Sequence, residues 1–187
     1  DSIGKRNALA LFNLAWQERF MWDGAIHHLD MQPLAPLSNP IEMGENLPHL
    51  LEKLNASSAY KEYSLKAFHD SVITSQHFLQ AIAQFMLSLT SSESRYDSVM
   101  RKQASFTPQE LQGYFIYKSN CAHCHKEPLF TNGGFERNGL PPDPKLQDGG
   151  RSVITGNKSD SLKFSVPSLR NLEYTAPYID RKSTRLN

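Results

Sequence analysis

Apolar side chains recur at spacings of three and four along several stretches of the chain, with polar or proline-rich segments between them. Ala8, Leu11, Phe12, Ala15 and Trp16 predict an amphipathic helix over residues 8–20, with Asn7 as its N-cap. A turn at Trp22-Asp23-Gly24 follows, then a helical stretch to about Leu34. Pro33, Pro36 and Pro40 prevent it from continuing as one helix. Residues 47–54 and 58–68 predict a helical hairpin, punctuated by Asn55 and the serines. The strongest helical pattern spans 74–89, where Phe78, Ile82, Phe85, Met86 and Leu89 share a face expected to be core. The Ser/Thr-rich residues 90–94 are the expected domain boundary.

Beyond that boundary, Thr107-Pro108-Gln109-Glu110 reads as a capping box, with Pro at the first helical position and Glu110 at N3. The helix it opens runs straight into Cys121. Residues 126–165 show almost no periodicity and contain the pairs Gly133-Gly134 and Gly149-Gly150 with Pro141, Pro142 and Pro144. A loop this long inside a compact domain is usually functional or wraps a ligand. No alternating run reads convincingly as a strand, so the fold class is mainly α.

Composition narrows the function classes. The 187 residues allow one large domain or two small ones, and 39% hydrophobic residues suit a globular rather than a disordered chain. No apolar run approaches the roughly 18 residues of a membrane span. Twenty basic against 19 acidic residues leave a formal charge of +1, so bulk charge gives no reason to expect nucleic acid or an acidic membrane as partner. Function must lie in a site. The two cysteines, Cys121 and Cys124, are too close in sequence to staple distant segments and form one local motif. No signal-peptide pattern precedes Asp1-Ser2-Ile3-Gly4, so localisation has no targeting segment to rest on.

Cys121-Ala122-His123-Cys124-His125 is the attachment pattern of a c-type haem. Two thiols add across the two vinyl groups of the macrocycle, and the adjacent imidazole takes an axial position on iron. Two other readings compete. A thioredoxin-like dithiol normally follows a strand, whereas a helix precedes this one. A zinc site needs four tetrahedral ligands, which this cluster alone does not supply. Haem also accounts for the loop that follows, since an irregular Pro- and Gly-rich stretch can wrap a large apolar disc.

Around this motif the chain resembles the bacterial di-haem cytochrome c peroxidases, with the di-haem enzymes that mature tryptophan-derived quinone cofactors as near relatives. The matching residues are Arg6-Asn7-Ala8, Asn13-Leu14-Ala15, Phe20 to Gly24, Gln32, Pro36 and Asn39 to Gly44, then the haem motif, Val166 to Leu172 and Thr175 to Tyr178. The resemblance implies cytochrome c-like haem domains with long irregular loops: residues 1–95 from an N-terminal peroxidatic domain and 96–179 from a C-terminal electron-transfer domain. It implies that Glu42 is the catalytic glutamate, Gln32 its active-site neighbour and Trp22 the tryptophan between two haems. It further implies calcium held by Asn7 and by the main-chain carbonyls of Thr175 and Pro177, a ligand set that suits a hard cation. Hydrogen peroxide as substrate, a small cytochrome c or copper protein as electron donor, a homodimer option and a periplasmic location come with it. A pure electron-transfer module, or a di-haem oxidase acting on a partner protein, is the alternative.

The types fit the chemistry, because heterolysis of peroxide needs a base that takes a proton from one oxygen and returns it to the other. Taken alone, Trp22 reads as a packed aromatic in a turn and Glu42 as a helix-start residue. His27, His28, His49, His69 and His77 read as surface or core histidines. The family carries two Cys-x-x-Cys-His motifs and this chain one, so the sequence is expected to be a fragment, inactive by itself, without the first motif and the C-terminal end. Asp180-Arg181-Lys182-Ser183-Thr184-Arg185-Leu186-Asn187 matches the translation of a common sequencing adapter, with Ile179 as a truncated Met codon. That tail is expected to be non-native.

Overall fold

The computed structural model describes residues 6–142 and 144–175. Among them the helices are α1 (Leu34–Ser38), α2 (Leu47–Ala56), α3 (Ser58–Phe68), α4 (Ser75–Ser88), α5 (Arg95–Met100), α6 (Pro108–Asn120) and α7 (Ser152–Thr155). The fold is mainly α, as expected, and no described helix is long and apolar enough to cross a membrane.

α4 organises the first half. Thr74 caps it by accepting a hydrogen bond from the His77 amide, and its buried side packs Met86 against Leu14 and Phe20, with Ile26, Leu29 and Ile82 around them. Phe85 is not core: it lies about 100° round the helix from Met86 and stays 59% exposed.

The helix expected over residues 8–20 does not form. Only Leu14–Trp16 makes a 3-10 turn, and Asn7 caps no helix. Asn13 explains why. Its backbone is left-handed (φ 58°), its amide donates to the Leu89 carbonyl at the end of α4, and its buried side chain exchanges two hydrogen bonds with the backbone of Ser91 (2.9 and 3.1 Å). Tertiary pairing overrides the local pattern, and Leu11 and Trp16 are left exposed.

The helical stretch expected up to about Leu34 forms only a 3-10 turn at Leu29–Met31, and the proline segment holds α1, which carries Pro36 in its first turn, where backbone amides need no intrahelical partner. The α2–α3 hairpin forms with its break at Ser57. Asn55, expected as punctuation, lies inside α2 and bonds the Ile73 amide and carbonyl, both at 2.9 Å.

α5 was not anticipated, although Ser94-x-x-Asp97 forms a complete capping box directly after the boundary segment. α6 forms as expected. The Thr107 hydroxyl accepts from the Glu110 amide (3.2 Å) and the Glu110 carboxylate from the Thr107 amide (2.7 Å). Residues 126–165 are largely irregular, yet they contain α7 and both strands of a small sheet that the sequence did not disclose. β1 (Phe135–Glu136) pairs antiparallel with β2 (Phe164–Ser165), Phe135 opposite Ser165 and Glu136 opposite Phe164. With two residues per strand, alternation has no length in which to show.

Candidate haem site

α6 delivers its C-terminus directly into the Cys-x-x-Cys-His turn. The Cys121 amide closes on the Tyr117 carbonyl (2.8 Å), and the Cys124 and His125 amides both close on the Cys121 carbonyl (3.2 and 2.9 Å). One turn therefore gathers two free, half-buried thiols and an imidazole.

The imidazole is oriented. His125 Nδ1 lies 3.2 Å from the Phe130 carbonyl and 3.1 Å from the Pro167 carbonyl. Carbonyl oxygens only accept, so Nδ1 carries a proton, which in the neutral ring leaves the Nε2 lone pair for a metal. Tyr117 additionally donates its hydroxyl to the His125 carbonyl.

These residues fit a covalently held haem. On the helix just before the cysteines, Leu111, Phe115 and Ile116 are 42%, 61% and 57% exposed, apolar surface that a macrocycle bonded beside them could cover. The competing readings lose ground. A helix rather than a strand carries the thiols, and no group of three or more His, Cys, Asp or Glu suited to a metal ion occurs among the described residues.

Two segments close around His125. Thr131 donates its hydroxyl to the Val166 carbonyl and Ser168 to the Leu129 carbonyl, both at 2.6 Å. Arg170 grips the outer end of this clasp. It donates to the Pro128 carbonyl from Nε (3.1 Å) and Nη2 (2.8 Å), and meets both Asp97 carboxylate oxygens at 2.7 and 2.8 Å. The Asp97 carboxyl is held well below its ordinary range, chiefly by the Arg170 guanidinium. Next to Pro128, Glu127 accepts from Tyr114 (2.8 Å) and Lys118 (2.7 Å). Partial burial is the largest influence on the Glu127 carboxyl and pushes it up, but the hydrogen bonds from Lys118 and the tyrosines together hold it below its usual value.

The first-half candidates occupy a different place. Trp22 sits where the two halves of the chain meet: its indole donates to the Asn7 carbonyl (2.8 Å), and its own carbonyl accepts from the Ser165 amide (2.7 Å). Gln32 and Glu42 bracket α1, Gln32 half-buried before its start and Glu42 exposed in the turn after it. Asn39 positions that turn, donating to Glu42 Oε1 (2.7 Å) and accepting the Glu42 amide at its carbonyl (2.9 Å). Apolar side chains border both residues, Met31 being 45%, Ile41 44% and Met43 66% exposed. Asn7 and Thr175 are exposed, and Pro177 lies outside the described residues.

The sequence did not disclose the Asp97–Arg170 pair, nor the network in which Arg6 bonds Asp148 (2.6 and 2.8 Å) and Asp23 (2.6 Å). Ser-x-x-Asp at 94–97 was a legible cap, but its pairing with a residue 73 positions away left no local trace.

The chain belongs to the di-haem cytochrome c peroxidase family, whose model matches residues 1–105. It is 34% identical to the cytochrome c551 peroxidase of Nitrosomonas europaea over 180 residues, which cover 94% of this chain and 54% of the relative. It is 29% identical to the methylamine utilization protein MauG of Methylophilus methylotrophus, with 96% and 55% covered. Among solved structures, a MauG-like protein associated with microbial copper homeostasis superposes with a TM-score of 0.85 at 28% identity, over 94% of this chain and 58% of that one. The chain thus spans about half the length of these relatives, and membership of the family implies haem c.

Proposed function

We propose that the full-length protein is a peroxidase that reduces hydrogen peroxide to water with electrons from a small cytochrome c or copper protein. The observation that carries this reading is the turn at 121–125, where two free thiols stand beside an imidazole whose Nδ1 is committed to two carbonyls. Cys121 and Cys124 would hold the haem covalently and His125 Nε2 would ligate its iron. When bound there, the haem would supply an iron that exchanges single electrons and passes them to the peroxidatic half of the protein.

In this reading Glu42 takes the proton from one peroxide oxygen and returns it to the other, which leaves as water. Two electrons and two further protons complete the reduction to a second water. Gln32 orients the peroxide by hydrogen bonding, and Asn39 keeps one Glu42 oxygen fixed while the side chain remains accessible. Trp22, tied to both halves of the chain, is the aromatic bridge for electrons. Calcium belongs to the same reading: the Asn7 carbonyl is engaged by the Trp22 indole, so an ion taken by the Asn7 side chain would bear on that bridge. The boundary between a peroxidatic and an electron-transfer domain falls between α4 and α5, and the covalent haem fits a periplasmic protein. Similarity to MauG proteins supports a second reading, a di-haem oxidase that modifies a partner protein.

The test uses the complete gene, matured with its haems. Mass spectrometry should find haem on the 121–125 peptide, and reduced small cytochrome c should be oxidised on adding hydrogen peroxide. A haem-loaded protein that, on adding peroxide, leaves the small cytochrome reduced and instead oxidises side chains of a partner would replace the peroxidase by the second reading.

A further inference from the structure

We propose that Arg170, gripped by Asp97, is a positioning residue that sets the orientation of the His125 imidazole and, through it, the reduction potential of the haem held at 121–125. This rests on the haem reading of that motif but assigns a role to residues far from it in sequence.

The two acceptors of His125 Nδ1 come from two strands of chain: Phe130 from the loop after the motif and Pro167 from the segment that returns to it. Their spacing is fixed only if the two segments are locked together. The Thr131 and Ser168 hydroxyls tie them directly, and Arg170 holds the outer end of that lock. Both of its donations to Pro128 and its guanidinium 5.4 Å over the Phe130 ring bear on the loop side, and only Ser168 and Leu169 separate it from Pro167 on the other. Its planar fork is spent on Asp97, which is buried and itself fixed at the start of α5 by the capping box with Ser94. The pair thus couples a short helix to the fork around the imidazole without touching the haem motif. Partners that orient a ligating histidine raise its basicity, and their loss typically costs 10- to 100-fold in metal affinity or activity.

Loosening the fork weakens the Nδ1 hydrogen bonds, makes His125 a poorer donor to ferric iron and raises the potential. The experiment compares R170K, D97N and R170A with the parent in the haem-loaded full-length protein. R95Q, which removes a separate exposed ion pair with Glu110, is the control. Mass spectrometry of the 121–125 peptide comes first, and a parent peptide without haem would refute the haem reading itself. With haem present, we expect all three variants to shift the potential upward by about tenfold in the reduction equilibrium, about 59 mV for one electron. R170K should not rescue, because lysine keeps the charge and loses the fork. R95Q should keep the parent potential. Folded, loaded variants with the parent potential and the parent axial-ligand spectrum would overturn the proposal. So would failure of all three to take up haem while R95Q does, since the pair would then brace folding rather than position the histidine.

Discussion

Glu42 carries the proposed proton transfer, and its setting makes the test specific. Replacing it with Gln keeps the size and the Asn39 contact but removes the base. Peroxide turnover should fall by about 10² to 10⁴-fold, with haem spectra unchanged. Stopped-flow oxidation of a reduced donor measures this. Glu52→Gln, on the exposed side of α2, should leave turnover at the parent value. Asp23 would be a poor control, because it is buried and bound to Arg6. Gly24, beside it, has φ +72°, and a Cβ there would stand 2.4 Å from the Phe135 ring. Gly24→Ala combines an unfavourable backbone with overpacking and should lower stability by about 2–4 kcal/mol in chemical denaturation. The Trp22-Asp23-Gly24 turn was readable as a turn, but the ring that makes the glycine necessary comes from more than a hundred residues away.

Among the elements, α6 and α5 contrast in how much of them the sequence disclosed. Thr107 and Glu110 announce α6 through local chemistry, and Thr107→Ala should cost about 1 kcal/mol and loosen the helix that carries the cysteines, as hydrogen exchange over 108–120 would report. α5 has an equally good cap, yet with six residues it offers little periodicity to accompany it. The opposite failure, the helix expected over 8–20, arose because apolar spacing says nothing of Asn13's bonds to Leu89 and Ser91. α5 also brings a pH dependence. The folded Asp97 carboxyl lies below its ordinary value of 3.8, so an unfolded chain binds the proton first as pH falls. The stabilisation is complete above that value and is lost as pH drops through it toward the folded one. Asp97→Asn should therefore unfold with a shallower dependence on pH below about 5. At neutral pH it should be less stable by about 3–5 kcal/mol, because it leaves Arg170 buried without its counter-charge.

Across the whole molecule, the mainly α class and the haem motif were legible because each is a local pattern. The joining of the two halves was not. Arg6 bridges Asp23 and Asp148, Arg151 donates to the Asp23 carbonyl (2.8 Å), and β2 donates to Trp22, so residues 6–24 are knit to 148–165. Charged and backbone partners so far apart in sequence leave no periodic signature. Arg6→Gln should lower stability by about 2–3 kcal/mol, since it strips charged hydrogen bonds from two carboxylates, and calorimetry of the haem-loaded protein would show it.

The clasp around His125 also carries a consequence in time. The thiols and the imidazole are complete once residue 125 exists, but one of the two acceptors that orient the ring arrives 42 residues later. A chain stopped at residue 160 would possess both thiols and the imidazole and lack part of what aims the ring. Haem added to such a chain should attach through both cysteines yet show mixed axial ligation, whereas a chain extending past Arg170 should show one ligand set.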